Sequence, residues 1–244
     1  MTKDLTKNFG DFTAVNNIDF EIQNKETVGI IGPNGAGKTT FLNLITGYYM
    51  PDKGSVFVEG IDITHLSTVK RVALKIARTF QLVHVFDNLK VYENVALSYF
   101  RQKEKKSLPF SAFTQSLNRP DVRSKVMESL EMFELDHLAE DPVGQLPLGS
   151  RKRLELAMAF AADPVILLLD EPFAGLGDQE IDEIVGVLKR YTHNKTILVV
   201  EHKVSKLTEF VDRLAVMHEG EIISYGRCEE TLNDPEVRRC YWNV

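Results

Sequence analysis

Gly32-Pro33-Asn34-Gly35-Ala36-Gly37-Lys38-Thr39-Thr40 is the stretch whose reading decides the fold. It fits the phosphate-loop pattern G-x-x-x-x-G-K-[ST], and its flanks give the pattern weight. Ahead of it, Thr27-Val28-Gly29-Ile30-Ile31 is apolar and β-branched, as a buried strand requires. Behind it, Thr40-Phe41-Leu42-Asn43-Leu44-Ile45 begins a helix with apolar residues on one face. A strand that feeds a glycine loop, which feeds a helix, aims consecutive backbone N–H groups at one point. It adds the positive end of the helix dipole there, so a triphosphate is the natural guest. Lys38 would reach the β- and γ-phosphates, and the Thr39 hydroxyl would ligate Mg²⁺. A glycine turn that fits the pattern by chance has no reason to carry both the strand and the helix.

A second stretch, Val165-Ile166-Leu167-Leu168-Leu169-Asp170-Glu171-Pro172, reads as a central strand of a parallel sheet that ends in two carboxylates. Open α/β sheets hold their ligands at the carboxyl edge, where the phosphate loop also lies. Asp170 would face the metal, directly or through a water. Glu171 would face the γ-phosphate and polarise a water for in-line attack. A third apolar run, Thr196-Ile197-Leu198-Val199-Val200, delivers Glu201-His202 to the same edge. His202 is the histidine that ends a buried strand, and a hydrogen bond from it to the γ-phosphate is expected. His65, His84, His137, His193 and His218 lie in polar or turn-like settings and read as surface residues. Gln81 follows Arg78-Thr79-Phe80 at another strand end, where its amide can reach the metal or the attacking water.

The remainder of the chain is ordinary for a globular protein. Its 244 residues are 43% hydrophobic and 26% charged. A net charge of −6 argues against a nucleic-acid partner held by phosphate contacts. No apolar run approaches the roughly 18–20 residues of a membrane span, and Met1-Thr2-Lys3-Asp4 opens no signal peptide. Cys228 and Cys240 are too isolated for a disulfide framework or a zinc site. The first 31 residues are β-rich, with a turn at Phe9-Gly10-Asp11 and period-two apolar residues at Ile18, Phe20 and Ile22. Met50-Pro51-Asp52-Lys53-Gly54 is a turn, Ser55 to Val58 a strand, and Leu74 to Gln81 another apolar approach to the sheet edge. From Phe86 to Ala162 the spacing turns helical, over Val91–Leu97 and Val122–Leu138, so a helical lobe is expected inside an α/β core. The run Arg101-Gln102-Lys103-Glu104-Lys105-Lys106, with Pro109 and Pro120, marks an exposed connection within it.

Taken with Ala77-Arg78-Thr79-Phe80-Gln81, Leu146-Pro147-Leu148-Gly149, Arg153-Leu154-Glu155-Leu156-Ala157, Asp170 to Leu176, Glu201-His202 and Asn233-Asp234-Pro235-Glu236-Val237, these stretches resemble the ATP-binding subunit of an ABC transporter along essentially the whole chain. Within that superfamily the likeness is to the ATP-binding subunits of branched-chain amino acid importers. The resemblance implies an α/β P-loop NTPase fold: an ABC ATPase core with a mostly parallel sheet, an N-terminal antiparallel β subdomain and an inserted helical subdomain. The single domain 1–244 would comprise a core of 1–85 and 163–244 and a helical signature subdomain of 86–162. It implies ATP as substrate and Mg²⁺ as its metal, the latter held by Thr39, Asp170 and Gln81. Phe9 would stack on adenine with Val15 nearby, and Gly32 through Thr40 would hold the phosphates. Glu171 would be the catalytic carboxylate, His202 the switch histidine and Gln81 the glutamine that senses metal and partner.

Leu148, Gly149 and Ser150 would contact the ATP of the opposite subunit in a head-to-tail dimer. The signature departs from the common Leu-Ser-Gly-Gly-Gln, because Pro147 stands for serine and Leu148 for a glycine. A helix starting near Ser150 would still point its positive end at that phosphate. Gly177 stands where aspartate is common, with Asp178 one residue late. The strand that usually precedes Leu5 to Gly10 is short, from a curtailed edge strand or a start upstream. The implied partners are membrane permease subunits, a second ATP-binding subunit and, indirectly, a solute-binding protein, with the chain peripheral on the cytoplasmic face of the membrane. Urea, amides or another small polar solute are alternatives to branched-chain amino acids. A P-loop kinase or GTPase would lack the lobe with its signature, and an ABC protein acting on nucleic acid would need arms or a second cassette.

Overall fold

Thr27–Ile31 (β3) is buried at every residue, and the rest of the protein is layered around it. A computed structural model describes residues 1–79, 85–103, 119–191 and 195–242. Before β3 come Thr2–Phe9 (β1) and Phe12–Phe20 (β2). After it come the helix Lys38–Thr46 (α1), the strands Lys53–Val58 (β4) and Ile61–Asp62 (β5), the short helix Thr68–Ala73 (α2) and the strand Ile76–Arg78 (β6). Three longer helices come next: Val91–Lys103 (α3), Pro120–Met132 (α4) and Leu148–Ala161 (α5). The chain then returns through Ile166–Asp170 (β7), Asp178–Tyr191 (α6), Thr196–Val200 (β8), Val204–Leu207 (α7), Arg213–His218 (β9) and Glu221–Gly226 (β10), and closes with Cys228–Leu232 (α8) and Pro235–Trp242 (α9).

Two sheets result. The larger has the order β10-β9-β3-β8-β7-β6, parallel from β9 to β6, with β10 antiparallel at its edge. The smaller is antiparallel, in the order β2-β1-β4-β5. Apolar strands pass through the large sheet because both of its faces are covered. Leu167 and Leu169 join one buried cluster with α3, α4, α5 and α6, while Leu168 joins the other with α1 and the small sheet. Ile197 and Val199 divide from Leu198 and Val200 in the same way. Period-two alternation therefore shows up as two cores rather than as one core and one wet face.

Several sequence-based boundaries move. β1 is not an edge strand: it runs between β2 and β4. Ile22 lies beyond β2, and α1 begins at Lys38 rather than Thr40. The segment Val122–Leu138 is a helix that stops at Met132, followed by a 3₁₀ turn over Asp136–Leu138, with Glu134 left-handed between them (φ 57°). β4 starts two residues before Ser55. In the approach from Leu74, Arg78 ends β6, and Gln81 lies outside the described residues, as do His84, His193 and Glu104 to Lys106.

Arg71, on α2, fastens the C-terminal end of the phosphate-loop helix to the segment before α2. Its side chain is fully buried, yet it is supplied with acceptors throughout: Nη1 donates to the Leu44 and Ile45 carbonyls (2.7 Å each), Nη2 to Thr64 O (2.7 Å) and Nε to Leu66 O (3.0 Å). Leu44 and Ile45 lie in the last turn of α1, whose carbonyls have no partner within the helix. Gly47 closes that end at φ 74°, and a Cβ there would stand 2.7 Å from Arg71 Nε.

Candidate nucleotide and catalytic site

Register brings the site together. Ile30 pairs with Val200, and Val200 pairs with Asp170, so three adjacent parallel strands end at one level. The ladder runs one residue further on each side, with Glu201 N donating to Ile30 O (3.1 Å) and Glu171 N to Val200 O (2.9 Å). The residues that leave these strands therefore emerge on one carboxyl edge: Gly32 from β3, Glu171 from β7 and His202 from β8.

The phosphate loop is shaped by close approach as much as by torsion. A Cβ on Gly32 would meet the Met217 carbonyl oxygen at 2.1 Å, and one on Gly37 the Ala14 carbonyl oxygen at 2.2 Å. Gly35 and Gly37 are left-handed (φ 82° and 97°), and Gly37 caps α1. Ala36 is buried beneath the loop, and its N–H donates to Pro33 O at 3.2 Å. Lys38 folds back over the loop, with Nζ donating to Gly32 O (2.7 Å) and Pro33 O (2.9 Å). Burial holds its pKa below the usual lysine value, against the opposing pull of Glu171 and Asp170. Thr39 and Thr40 lie in the first turn of α1, next in the chain to Lys38.

Asp170 is enclosed at the end of β7. Its Oδ2 accepts from Arg78 Nη2 at 2.7 Å, its N–H donates to Thr79 Oγ1 at 3.3 Å, and its Oδ1 is buried without a hydrogen-bond partner. Glu171 turns out of the strand at φ 50°, a region costing a non-glycine residue roughly 1–2 kcal/mol. That turn brings its Oε1 to 3.1 Å from His202 Nε2.

By sequence Glu201 is only the residue before His202. In the fold it is buried: Oε1 accepts from Phe173 N (2.7 Å), and Oε2 from His202 N (2.9 Å) and Lys203 N (3.5 Å). Burial pushes its pKa above the usual carboxylate value, although these three N–H groups pull it down. A carboxylate directly after the four buried apolar residues Ile197 to Val200 is the signal that could have found it.

The remaining site residues stand on other elements, Phe9 and Val15 in the small sheet and Leu148 to Ser150 at the start of α5. Phe9 is 44% exposed, edge-to-face with Tyr49 (5.4 Å, 74°), with Lys7 Nζ over its ring at 5.7 Å from the centroid. Val15, expected beside the adenine, has no exposed surface. Leu148 is 47% exposed, whereas Gly149 and Ser150 are buried in the first turn of α5. That helix starts two residues earlier than expected, capped by Pro147. Against Gly149 lies the Glu180 carboxylate, which no motif suggested: a Cβ on Gly149 would stand 2.0 Å from Glu180 Oε1, while Oε2 accepts from Gly177 N at 3.0 Å. The signature segment and the loop after Glu171 are thus in contact within the chain.

Known proteins resemble this chain in sequence and in fold. The family model for ABC transporters matches residues 15–174. The high-affinity branched-chain amino acid transport ATP-binding protein LivG of Salmonella typhimurium is 35% identical, over 97% of this chain and 94% of that protein. The crystal structure of an ABC transporter's ATP-binding cassette in its ADP conformation superposes with a TM-score of 0.84 at 29% identity, covering all of this chain and 98% of that one. A dimeric cassette bound to ADP and Pi after hydrolysis superposes at 0.79 with 28% identity, over 93% and 97% of the two chains. Homologues of this kind bind nucleotide, form dimers and work with membrane permease components. Among the described residues no helix is long and apolar enough to cross a membrane. The chain belongs to the ATP-binding subunits of ABC transporters, and like them it is an ATPase.

Proposed function

We propose that this chain is the motor subunit of an importer for branched-chain amino acids, hydrolysing ATP at the carboxyl edge of its large sheet to drive two permease subunits. The observation that carries the chemistry is the alignment of Lys38, Asp170, Glu171 and His202 on that edge, with Glu171 Oε1 3.1 Å from His202 Nε2. The solute rests on similarity to LivG alone.

In this reading the backbone of Gly32 to Gly37 cradles the phosphates, Lys38 exchanges the loop carbonyls for phosphate oxygens, and Phe9 covers the adenine with Tyr49 behind it. The residues suit Mg²⁺, a hard cation that takes oxygen ligands: Thr39 and Thr40 offer hydroxyls, and Asp170 Oδ1 is a buried anionic oxygen with no partner. When bound, the ion would neutralise charge on the β- and γ-phosphates. Glu171 accepts a proton from the attacking water, and the His202 N–H that faces Glu171 turns to donate toward the γ-phosphate. Gln81 joins from the segment after β6. Leu148, Gly149 and Ser150 meet ATP held by a second subunit, identical or different. Residues 86–162 form the signature-bearing subdomain, and the permease docks around Gln81 to Asn94, where Phe86 is 56% exposed and Asn94 fastens both its N–H (2.8 Å) and its carbonyl (3.2 Å). The chain then sits peripherally at the cytoplasmic membrane face, with a solute-binding protein acting on the far side.

Thermal melts test the site. ATP with Mg²⁺ at a thousandfold excess over Kd should add about 4 kcal/mol, and Lys38→Ala should remove most of the gain. Glu171→Gln should keep the shift and lose roughly 10²–10⁴-fold in hydrolysis. An unshifted wild-type midpoint removes the nucleotide site, and wild-type turnover in Glu171→Gln removes the base. Leucine uptake by vesicles carrying the whole transporter tests the solute.

A further inference from the structure

The Arg78 guanidinium reaches two elements beyond its own strand. Nη1 donates to Asn43 Oδ1 (2.6 Å) and to Thr46 Oγ1 (3.4 Å) on α1, and Nη2 donates to Asp170 Oδ2 (2.7 Å) at the end of β7. The side chains of the ion pair are 6% and 2% exposed. A buried ion pair is weak evidence for stability, since an apolar pair of similar volume often does as well, so this pair calls for another use. An arginine facing a carboxylate commonly takes both oxygens in a parallel fork. Arg78 takes one: the second Nη goes to α1, and Asp170 Oδ1 is left enclosed with no hydrogen-bond partner. A carboxylate pinned by one oxygen, its other oxygen unsatisfied and buried, is oriented for a ligand that supplies charge. The same guanidinium ties that orientation to the helix bearing Lys38 and Thr39.

We infer that Arg78 is a positioning residue for Asp170, fixing its Oδ1 as a single metal-facing oxygen and locking it to α1. This rests on the reading of the edge as an Mg²⁺–ATP site. Arg78 acts through Asp170 and needs no contact with nucleotide or ion. Partners in this outer position are worth 10–100-fold in metal affinity or activity.

The test measures binding of a fluorescent ATP analogue to the full chain, in EDTA and across an Mg²⁺ titration, for wild type, Arg78→Lys, Arg78→Met and Asn43→Ala. Arg78→Met is expected to raise the half-saturating Mg²⁺ concentration about 10–100-fold while affinity in EDTA stays near that of wild type. Arg78→Lys should recover part of this, because a lysine cannot span two fixed partners with a planar fork. Asn43→Ala frees the far end of the guanidinium at a half-buried position, so it keeps the test alive if Arg78→Met does not fold, and it should shift the same way by a smaller factor. Variants that match a wild type responsive to Mg²⁺ overturn the inference alone. So does an equal loss of affinity with and without Mg²⁺, the mark of a merely structural residue. A wild type that binds no nucleotide overturns the functional reading and this inference with it.

Discussion

Gly149→Ala should destabilise the wild-type chain slightly and stabilise a chain that already carries Glu180→Ala. The added Cβ would stand 2.0 Å from Glu180 Oε1 and 2.9 Å from its carboxyl carbon. The obstacle is the tip of a flexible side chain, so the backbone need not move, and Glu180 swings away instead. In doing so it leaves Gly177 N, which it accepts at 3.0 Å, without an acceptor at the start of α6. Losing a cap of this kind costs about 1 kcal/mol. Against it stands the helix preference for alanine over glycine, roughly 0.5–1 kcal/mol in a helix interior and less in the first turn, where position 149 lies. In the wild type the cap outweighs the propensity and the net change is a loss of a few tenths. With Glu180→Ala the cap is already gone and no carboxylate is in the way, so only the gain remains.

The two effects therefore differ in sign and by about 1 kcal/mol, well outside the roughly 0.3–0.5 kcal/mol within which independent sites add. Urea unfolding of the four members of the cycle, with slopes compared as well as midpoints, measures it. In a chain of this size about 1 kcal/mol is roughly 2–4 °C, so thermal melts give a second reading. If Gly149→Ala changes stability by the same amount in both backgrounds, the contact between the signature helix and Glu180 does not exist in solution.

Other consequences are more direct. Arg71→Met strands the Ile45, Thr64 and Leu66 carbonyls, while Leu44 O keeps Gly47 N at 3.3 Å, at about 1–3 kcal/mol for each left unsatisfied, less the desolvation no longer spent on a charge. A net loss of about 3–5 kcal/mol in urea is expected, and one below about 1 would refute the role given to it. Gly32→Ala must push aside the Met217 carbonyl at 2.1 Å and should abolish ATP binding, whereas Gly35→Ala meets nothing within 4 Å and should cost only about 1–2 kcal/mol of backbone strain at φ 82°. Equal damage from the two, in melts and nucleotide titrations, would contradict the steric argument. Because burial raises the pKa of Glu201 in the folded chain, its contribution is fully present below the unfolded value and is lost as pH rises through the folded one. Wild-type stability relative to Glu201→Gln should therefore improve as pH falls from neutral toward the ordinary carboxylate value, and a difference that stays constant would count against it.

The sequence shows whatever is written locally. The strand-loop-helix around Gly32 to Thr40 and the apolar runs before Asp170 and His202 carry their own period, punctuation and chemistry within about ten residues. β1 is illegible because its pattern is weak: of Thr2 to Phe9 only Thr2, Leu5 and Thr6 are buried, and Asp4 breaks the alternation at φ 50°. Its place in the small sheet comes from pairing with β2 and β4, not from its own composition. Arg71, Arg78, Glu180 and Glu201 are hidden for a different reason. Each looks like an ordinary charged residue, and each owes its meaning to a partner elsewhere in the chain, 92 residues away for Arg78 and Asp170 and 28 for Glu201 and Phe173.

Glu201 shows what such a residue adds to a site that the motifs already outline. Its burial is unfavourable, as the direction of its pKa shift says. Yet its two oxygens take N–H groups from both turns that matter: Phe173 after β7, and His202 and Lys203 after β8. Glu171 lies two residues before Phe173, and His202 is itself one of the donors. The 3.1 Å approach of Glu171 Oε1 to His202 Nε2 thus spans two turns that one buried carboxylate holds together. Backbone strain at Glu171 points the same way, since a left-handed glutamate persists only where its surroundings over-determine it. The parallel strands bring the chemistry to one edge, and the buried Glu201 carboxylate holds two of its turns together.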